Sequence, residues 1–415
     1  MRICVIGAGV VGVTTAWLLA RRGWQVTLLD ACAEPAQATS YANGGQLSYS
    51  YVAPLAGPGV LGNVPKWLLC GDSPLRFRLR LDPHQWRWCL SFIKACNASA
   101  SESSTAQLLE LSYLSRRVLN TLIAETPIEF GHSRNGKLIV YRSPALLEKA
   151  RSLVEYQSSL GAQQQILTTD QCVQLEPALA QARGKLAGAV YTPSEESGDC
   201  HQFTLGLFRH LSALPNVKVL MGMNISRLER SGHGISAAVS TGGASVSADH
   251  FIVAAGMGSF PLLDALGARP MLYPLKGYSL SVPGSPGQTP AISVTDYERR
   301  TVYANLNGTL RIAAMVGIGA TGNGIDDDRI SLIKRQTTEL FPAIHLDHAK
   351  AWAGSRPATP HGRPIIGRSP AARNLWLNIG HGALGFTLAC GSSHLLETML
   401  AAEPSPIDPS GFLPS

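Results

Sequence analysis

The stretch MRICVIGAGVVGVTTAWLLARRGWQVTLLD, residues 1–30, has the pattern of one strand–helix–strand unit. Residues 2–6 form a short apolar run typical of a buried parallel strand, and GAGVVG at 7–12 fits GxGxxG. A helical stretch follows at 13–22, and a second strand at 25–30 ends on an acidic residue. This order predicts a Rossmann-type unit that binds a dinucleotide.

The glycines of this turn and the acidic residue after it have separate expected roles. Gly7 allows the tight turn, Gly9 lets a pyrophosphate approach the helix N-terminus, and Gly12 lets helix and strand pack closely. Asp30 is expected to accept hydrogen bonds from the adenosine ribose. The alternative is a strand–helix corner that binds no ligand.

Composition narrows the class of protein. The chain has 415 residues, of which 45% are hydrophobic and 15% charged, as in a compact enzyme of two interleaved domains. The net charge of +7 suits an anionic cofactor, an acidic substrate or an anionic membrane surface. Basic residues are scattered, with Arg76, Arg78 and Arg80 as the nearest approach to a cluster, so we expect no nucleic-acid binding.

The cysteines and the apolar N-terminus bear on location. Eight cysteines occur without any CxxC pair, which predicts reduced thiols, no metal site and a cytoplasmic protein. The uncharged stretch between Arg2 and Arg21 resembles a signal peptide or a membrane span, but its glycines and the Thr14-Thr15 pair argue against both. We therefore expect at most peripheral membrane contact.

The rest of the chain alternates between the expected sheet and inserted segments. Residues 217–228 and 251–254 are predicted strands of the first domain, and residues 66–124 a helical excursion. Residues 278–315 alternate and turn like an antiparallel sheet. The fold class is thus α/β, with a Rossmann-type, glutathione-reductase-like FAD-binding domain interleaved with an α+β substrate domain. The expected boundaries are 1–50, 185–265 and 350–415 for the first domain, and 51–184 and 266–349 for the second.

A second glycine run, NIGHGALGFTLACG at 378–391, favours a flavin over a nicotinamide cofactor. A helix beginning there would aim its positive end at the N1 and C2 carbonyl side of a reduced flavin. Considered alone, the run could equally be a plain glycine-rich turn.

Six motifs together resemble one known family. They are GAGVVG at 7–12, SYANGGQLS at 40–48, SGDCHQFT at 197–204, YPLKGYS at 273–279, RPATPHGRPIIG at 356–367 and NIGHGALGFTLACG at 378–391. Over nearly its whole length, the chain resembles the D-amino-acid dehydrogenase small-subunit group of FAD-dependent oxidoreductases. Glycine oxidase, sarcosine oxidase and D-amino-acid oxidase belong to the same superfamily.

The resemblance implies a set of contacts to a non-covalently held FAD. The implied residues are Gly7, Gly9, Val10, Val11 and Gly12 at the pyrophosphate, Asp30 at the ribose, Ser40, Asn43, Gly44 and Gln46 along the isoalloxazine approach, Ile225 at the adenine, Gly256 at a small-residue turn, and Gly380, His381, Gly382, Leu384 and Gly385 at the pyrimidine end.

The resemblance also implies a substrate site. Arg356 would pair with the substrate carboxylate, although an arginine beside a proline is by itself typical of a surface ion pair. Tyr278 and Tyr51 would line the same pocket, or simply pack. His361 and Gly317 replace acidic residues that the group usually has, which leaves room for a cyclic substrate such as D-proline or cis-4-hydroxy-D-proline.

The implied reaction is oxidative deamination of a D-amino acid by hydride transfer from Cα to flavin N5, giving an imine and then a 2-oxo acid. No histidine is needed as a base, so His201 is interpreted as a loop or packing residue. Quinone is one candidate electron acceptor, with the protein at the inner face of the cytoplasmic membrane. The alternatives are an oxidase that uses oxygen, and a non-catalytic flavoprotein subunit that binds a partner through the Trp-rich segment 66–96. Two other interpretations of this segment are contact with an anionic membrane and ordinary helix packing.

Overall fold

The computed structural model describes residues 1–63, 73–159, 161, 163–320, 322 and 324–414. The strands of this part of the chain are β1 (Arg2–Ile6), β2 (Gln25–Leu29), β3 (Gln46–Leu47), β4 (Leu75–Phe77), β5 (Lys137–Tyr141), β6 (Gln165–Leu167), β7 (Gly188–Thr192), β8 (Glu196–Ser197), β9 (Val217–Leu220), β10 (Ile225–Ser231), β11 (Gly234–Ser240), β12 (Ser245–Val246), β13 (His250–Val253), β14 (Tyr273–Pro283), β15 (Ser293–Asp296), β16 (Thr301–Leu306), β17 (Thr309–Ile318), β18 (Lys350–Ala358), β19 (Ile365–Arg368) and β20 (Leu375–Ile379). Its α-helices are α1 (Val10–Arg21), α2 (Pro83–Ala95), α3 (Ala98–Glu125), α4 (Pro144–Ser159), α5 (Thr169–Leu175), α6 (Cys200–Ser212), α7 (Ser259–Asp264), α8 (Asp327–Leu340) and α9 (Gly385–Leu400). None of these helices combines the length and the hydrophobicity needed to cross a membrane.

A six-stranded sheet in the order β19-β20-β13-β1-β2-β9 contains the N-terminal unit. Its pairings are parallel except at the edge, where β19 runs antiparallel to β20. In the centre, Ile6 is in register with Leu29 on one side and with Val253 on the other. The predicted Rossmann-type unit is confirmed, and β13 and β20 extend it with strands from much later in the chain.

Both faces of this sheet are covered, as a buried parallel sheet requires. On one face Val5 and Leu28 are buried in a core shared with α1, α6 and α9. On the other face Cys4 and Leu29 are buried beneath the antiparallel ribbon β10-β11-β12 and α7.

A nine-stranded sheet forms the other half of the molecule, in the order β18-β14-β17-β16-β15-β5-β7-β6 with β4 beside β17. Its pairings are antiparallel except for β15 with β5 and β4 with β17. Helix α8 packs on one face, where its Leu332 and Ile333 share a core with Leu280 and Ile312. The prediction of a second domain built on an antiparallel sheet is confirmed.

Two local predictions need correction. The strand predicted at 217–228 is two strands in different sheets, because the chain turns at Gly222 (φ +72°) between β9 and β10. The predicted helical excursion at 66–124 contains a strand, β4, before α2 begins, and residues 64–72 lie outside the described part of the chain. Strands β7 and β18, which fall inside the predicted FAD-binding segments, pair in the nine-stranded sheet.

Candidate active site

The glycine turn after β1 adopts a backbone that side chains would obstruct. Gly7 has φ +113°, and a Cβ added there would lie 2.5 Å from the carbonyl oxygen of Ala254. A Cβ on Gly12 would lie 1.8 Å from the carbonyl oxygen of Gly7. Two of the three glycines are therefore required by the fold itself.

Gly9 is different, because a Cβ there would meet only the hydroxyl of Ser40, at 3.3 Å. It is the N-cap of α1, whose first turn holds Val10 and Val11, contains no acidic residue and receives no hydrogen bond from a capping side chain of its own. An open glycine before a helix whose first turn contains no acidic residue fits the pyrophosphate of FAD.

Side chains from two later segments hold the turn. The carboxylate of Asp30 accepts hydrogen bonds from the backbone N–H of Ala8 (2.6 Å) and of Cys32 (2.8 Å). The hydroxyl of Ser40 accepts from the backbone N–H of Val10 at 3.0 Å. Each Asp30 oxygen keeps a further acceptor site, so the same carboxylate can fix the turn and accept a ribose hydroxyl.

Two further predicted contacts surround this unit. Ile225 is the buried first residue of β10, on the side of β2 that the antiparallel ribbon covers. Gly256, at φ +56°, opens the short turn that follows β13, the strand next to β1. The structure thus places both residues beside the six-stranded sheet.

The segment 40–48 is fastened to one face of the nine-stranded sheet. Arg311 donates to the carbonyl of Asn43 (2.9 Å), and the amide of Gln46 donates to the hydroxyls of Ser293 (2.7 Å) and Thr295 (3.1 Å). At Gly44 an added Cβ would already be in contact with a side chain of this sheet, the methyl group of Ala313 at 3.4 Å.

The second glycine run connects β20 to α9. Gly380 and Gly382 both have positive φ, at +84° and +55°, and α9 begins at Gly385, directly after Leu384. Between them, buried His381 forms a 2.9 Å hydrogen bond with the hydroxyl of Ser392. Burial lowers the pKa of His381 to about 3, so its ring is neutral at physiological pH.

Helices α1 and α9 bring the two glycine runs together. The hydroxyl of Thr15 in α1 lies 2.8 Å from that of Ser393 in α9, and the amide of Asn378 in β20 donates to Thr15 at 3.1 Å. The two glycine runs, far apart in sequence, are therefore followed by helices that pack against each other.

Arg356 lies in β18, two residues before Ala358, which forms a β-bridge with His381 of the glycine run. Its Nη1 donates to the carbonyl of Met315 at 3.0 Å, and its guanidinium lies against Gly277. Burial lowers the pKa of Arg356 to about 10. Among the described residues no carboxylate forms an ion pair with it.

Met315 itself adopts an unusual backbone. Its φ is +71°, and the pairing of β14 with β17 shifts register between Lys276 and Tyr278, opposite this position. A non-glycine residue in the left-handed region at a bulge is uncommon and re-aims the local carbonyl. Here that carbonyl is the one that holds the Arg356 guanidinium.

The structure does not bring Tyr278 together with Arg356. Successive side chains of a strand point to opposite faces, and Gly277 is on the Arg356 face. Tyr278 accordingly packs in the core beneath α8, with Leu332 and Ile333, where burial raises its pKa.

Tyr51 lies near β5, several strands away from β18. The Nζ of Lys137 is 4.3 Å from the centre of its ring, and it packs against Ile139 and Tyr141. Burial raises the pKa of Tyr51. Its position is consistent with a packing role on the sheet.

The two residues that depart from the group's pattern, and His201, have identifiable surroundings. His361 Nδ1 accepts from the backbone N–H of Arg363 at 3.2 Å, and burial lowers its pKa to about 4. Gly317 lines a small cavity with Tyr278, on the α8 side of the sheet. His201 follows the N-cap of α6 and packs edge-on against the ring of Tyr41.

Sequence reasoning missed two buried ionisable residues near the segment 40–48. Lys137 donates to the hydroxyl of Ser48 at 2.9 Å, and Glu195 accepts from the backbone N–H of Ser50 at 2.7 Å. Burial lowers the pKa of Lys137 to about 8 and raises that of Glu195. The available signal was a lysine within the apolar strand KLIVY at 137–141, which the alternation of side chains could turn inward.

Known proteins match this chain over almost its whole length. D-amino acid dehydrogenase 2 of Ralstonia nicotianae is 49% identical over 413 residues, covering 97% of this chain and 96% of the relative. D-amino acid dehydrogenase 2 of Pseudomonas aeruginosa is 46% identical over 416 residues, covering 100% and 98%.

Solved structures share the fold at low sequence identity. Glycine oxidase from Geobacillus kaustophilus superposes with a TM-score of 0.78 at 19% identity, covering 100% of this chain and 98% of the other. L-proline dehydrogenase from P. horikoshii gives 0.77 at 15% identity, covering 100% and 96%.

The family described as "DAO: FAD dependent oxidoreductase" matches residues 2–399. The match spans both glycine runs, Arg356 and the sheet that carries it, so the predicted cofactor is confirmed as FAD. The chain belongs to the FAD-dependent oxidoreductases of the DAO family.

Proposed function

We propose that the chain is a D-amino acid dehydrogenase in which Arg356 binds the substrate carboxylate. The observation that carries the proposal is a partly buried guanidinium with no carboxylate partner among the described residues, two positions from the bridge to the glycine run. The relatives at 49% and 46% identity, both named D-amino acid dehydrogenase 2, support the same substrate class.

The surroundings of Arg356 suit a planar anion. The carbonyl of Met315 takes one N–H of the guanidinium, and Gly277 leaves the space beside it clear of side-chain atoms. A desolvated positive charge without a counter-ion favours an anionic ligand, and the remaining N–H groups can bind a carboxylate through two parallel hydrogen bonds.

The residues of the chain bind and orient, and the cofactor supplies the redox chemistry. When bound, FAD would supply the acceptor for the hydride that the amino-acid Cα loses, and water would hydrolyse the resulting imine to the 2-oxo acid and ammonia. Gly9 and the N-terminus of α1 would hold the pyrophosphate, and Asp30 the ribose. His381, which is neutral, would place no charge beside the pyrimidine end of the flavin ring.

Several finer assignments belong to the same proposal. We propose that residues 1–50, 185–265 and 350–415 form the FAD-binding domain and that residues 51–184 and 266–349 form the substrate domain. Strand β18 belongs to the first set of segments but pairs in the nine-stranded sheet, where it contributes Arg356 to substrate binding. We propose a quinone as electron acceptor and a cytoplasmic protein that contacts the membrane peripherally. The seven cysteines of the described residues are free thiols, which supports a reducing compartment.

The test is anaerobic reduction of the flavin in wild type, Arg356→Ala, Arg356→Lys and a control, Arg209→Ala, on an exposed turn of α6. The substrates tested would be a set of D-amino acids with different side chains, D-proline and cis-4-hydroxy-D-proline. Loss of the carboxylate partner should cost about 2 to 5 kcal/mol of transition-state binding. Arg356→Lys should recover little of it, because an ammonium cannot form the two parallel hydrogen bonds.

Flavin content should be unchanged in all four proteins, and Arg209→Ala should behave like wild type. If Arg356→Ala bleaches at the wild-type rate and concentration dependence, the carboxylate is bound elsewhere and the proposal fails. Stoichiometric hydrogen peroxide under air would instead identify an oxidase, and no bleaching with any substrate would favour a non-catalytic subunit.

A further inference from the structure

Helix α2 presents large apolar side chains to solvent. Trp86, Leu90 and Ile93 are 46%, 59% and 49% exposed. Their spacing of four and three residues places them on one face of the helix. Single exposed apolar residues are ordinary, but a contiguous stripe marks a surface that binds something.

The loop before α2 adds two exposed leucines. Leu79 is 61% exposed and Leu81 is fully exposed, immediately before the N-cap Asp82. We call Leu79, Leu81, Trp86, Leu90 and Ile93 the α2 surface. It holds five of the large apolar residues that are exposed in the described part of the chain, within fifteen positions.

Basic residues border the α2 surface. Residues 73–95 contain five arginines and lysines but a single acidic residue, Asp82. Arg87 and Lys94 are exposed and form no ion pair among the described residues. Asp326 approaches two arginines of β4 and its C-terminal flank, Arg76 at 4.0 Å and Arg78 at 3.6 Å. The border therefore keeps a net positive charge.

The opposite face of α2 is anchored beside the substrate site. The indole N–H of Trp88 donates to the carbonyl of Ala358 at 2.9 Å. Trp88 and Phe92 stack and share a core with Leu275, the register partner of Arg356. A partner bound to the α2 surface would be separated from the Arg356 strand by this one helix.

We propose that the α2 surface docks the enzyme on an anionic lipid bilayer. The apolar stripe is suited to the acyl boundary, the indole of Trp86 to the interface, and the basic border to anionic headgroups. A second copy of the chain fits less well, because two α2 surfaces would bring like charges together. The proposal rests on the peripheral membrane contact proposed above, and it does not depend on which amino acid Arg356 binds.

Co-sedimentation of the FAD-loaded protein with vesicles tests the proposal. The vesicles would be phosphatidylcholine alone, and phosphatidylcholine with phosphatidylglycerol. We expect binding to the anionic vesicles that weakens as salt is added, and at least a tenfold weaker association for Leu81→Asp/Leu90→Asp and for Arg87→Glu/Lys94→Glu. Leu153→Asp, at a 38% exposed leucine of α4, is the matched control and should bind like wild type.

Each other outcome overturns the assignment. Equal binding by wild type and the two double variants would place the contact elsewhere. No binding by wild type, or equal binding to neutral vesicles, would exclude an anionic bilayer. If the wild type is dimeric in light scattering and Leu81→Asp/Leu90→Asp is monomeric, the surface binds a second copy. Anaerobic flavin reduction by substrate, measured in parallel, should be unchanged and reports on Arg356 separately.

Discussion

The guanidinium of Arg356 occupies the space beside Gly277 that a side chain would otherwise fill. An added Cβ at Gly277 would lie 2.4 Å from Nη2 and 2.5 Å from Cζ. Gly277 is not among the glycines with positive φ, so its backbone conformation does not require glycine. Glycine at this position is instead required by the space that the Arg356 guanidinium occupies. The motif KGYS at 276–279 contributes to the site through its glycine rather than through its tyrosine.

We predict that Gly277→Ala keeps its FAD but needs a higher D-amino acid concentration for anaerobic flavin reduction. The methyl group would displace the guanidinium from the Met315 carbonyl, and misplaced binding groups slow transfer as well as weaken binding. Titration of the flavin absorbance measures the effect. Gly184→Ala, at an exposed glycine with open space, is the control, and equal behaviour of the two variants would contradict the positioning role.

Gly9 and Gly12 should respond differently to the same substitution. Gly9→Ala has only the Ser40 hydroxyl to move, so we expect a folded protein with little bound flavin, because the methyl group occupies the approach of the pyrophosphate. Gly12→Ala would force Cβ onto the Gly7 carbonyl and should fail to fold. The flavin-to-protein absorbance ratio and circular dichroism separate the two outcomes. A Gly9→Ala protein with full flavin content would refute this account of the turn.

Buried His381 should make the protein sensitive to acid. Its folded-state pKa, lowered from 6.5 to about 3, means that the unfolded chain binds a proton at a pH where the folded chain does not. The free energy of unfolding should therefore fall as pH drops below 6.5, by about 2 kcal/mol at pH 5.

Denaturant unfolding of FAD-loaded His381→Asn at pH 7.5 and pH 5 measures this contribution. The variant should lose less stability than wild type between these pH values, whereas His345→Asn, at an exposed position, should lose as much as wild type. Identical losses in His381→Asn and wild type would rule out His381 as the source.

Local patterns predicted the elements whose signals lie within a few residues. The strand at 2–6, the glycine turn at 7–12 and the helix and strand that follow it all appear as expected. The prediction of a single strand at 217–228 was wrong because this apolar run forms two strands that belong to different sheets. Only the pairing of β9 with β2 and of β10 with β11 reveals that division.

The side-chain geometry of the site could not be predicted from motifs. Tyr278 and Arg356 both lie in recognisable sequences, yet a register shift in β14 and the alternation of its side chains place them on opposite faces. The Met315 carbonyl is re-aimed by a backbone conformation that its residue type does not favour. Such features depend on the pairing of strands far apart in sequence, so they cannot be predicted from the local spacing of residues.

The hydrogen bond between Thr15 and Ser393 joins residues 378 positions apart. During synthesis the ribosome delivers the first glycine run almost at once and the second only near the end. A nascent chain can therefore form its first strand–helix–strand unit early, but the flavin site is completed only when α9 docks on α1. Nonsense or frameshift mutations before residue 380 should accordingly yield colourless protein, even when most of the chain has been translated.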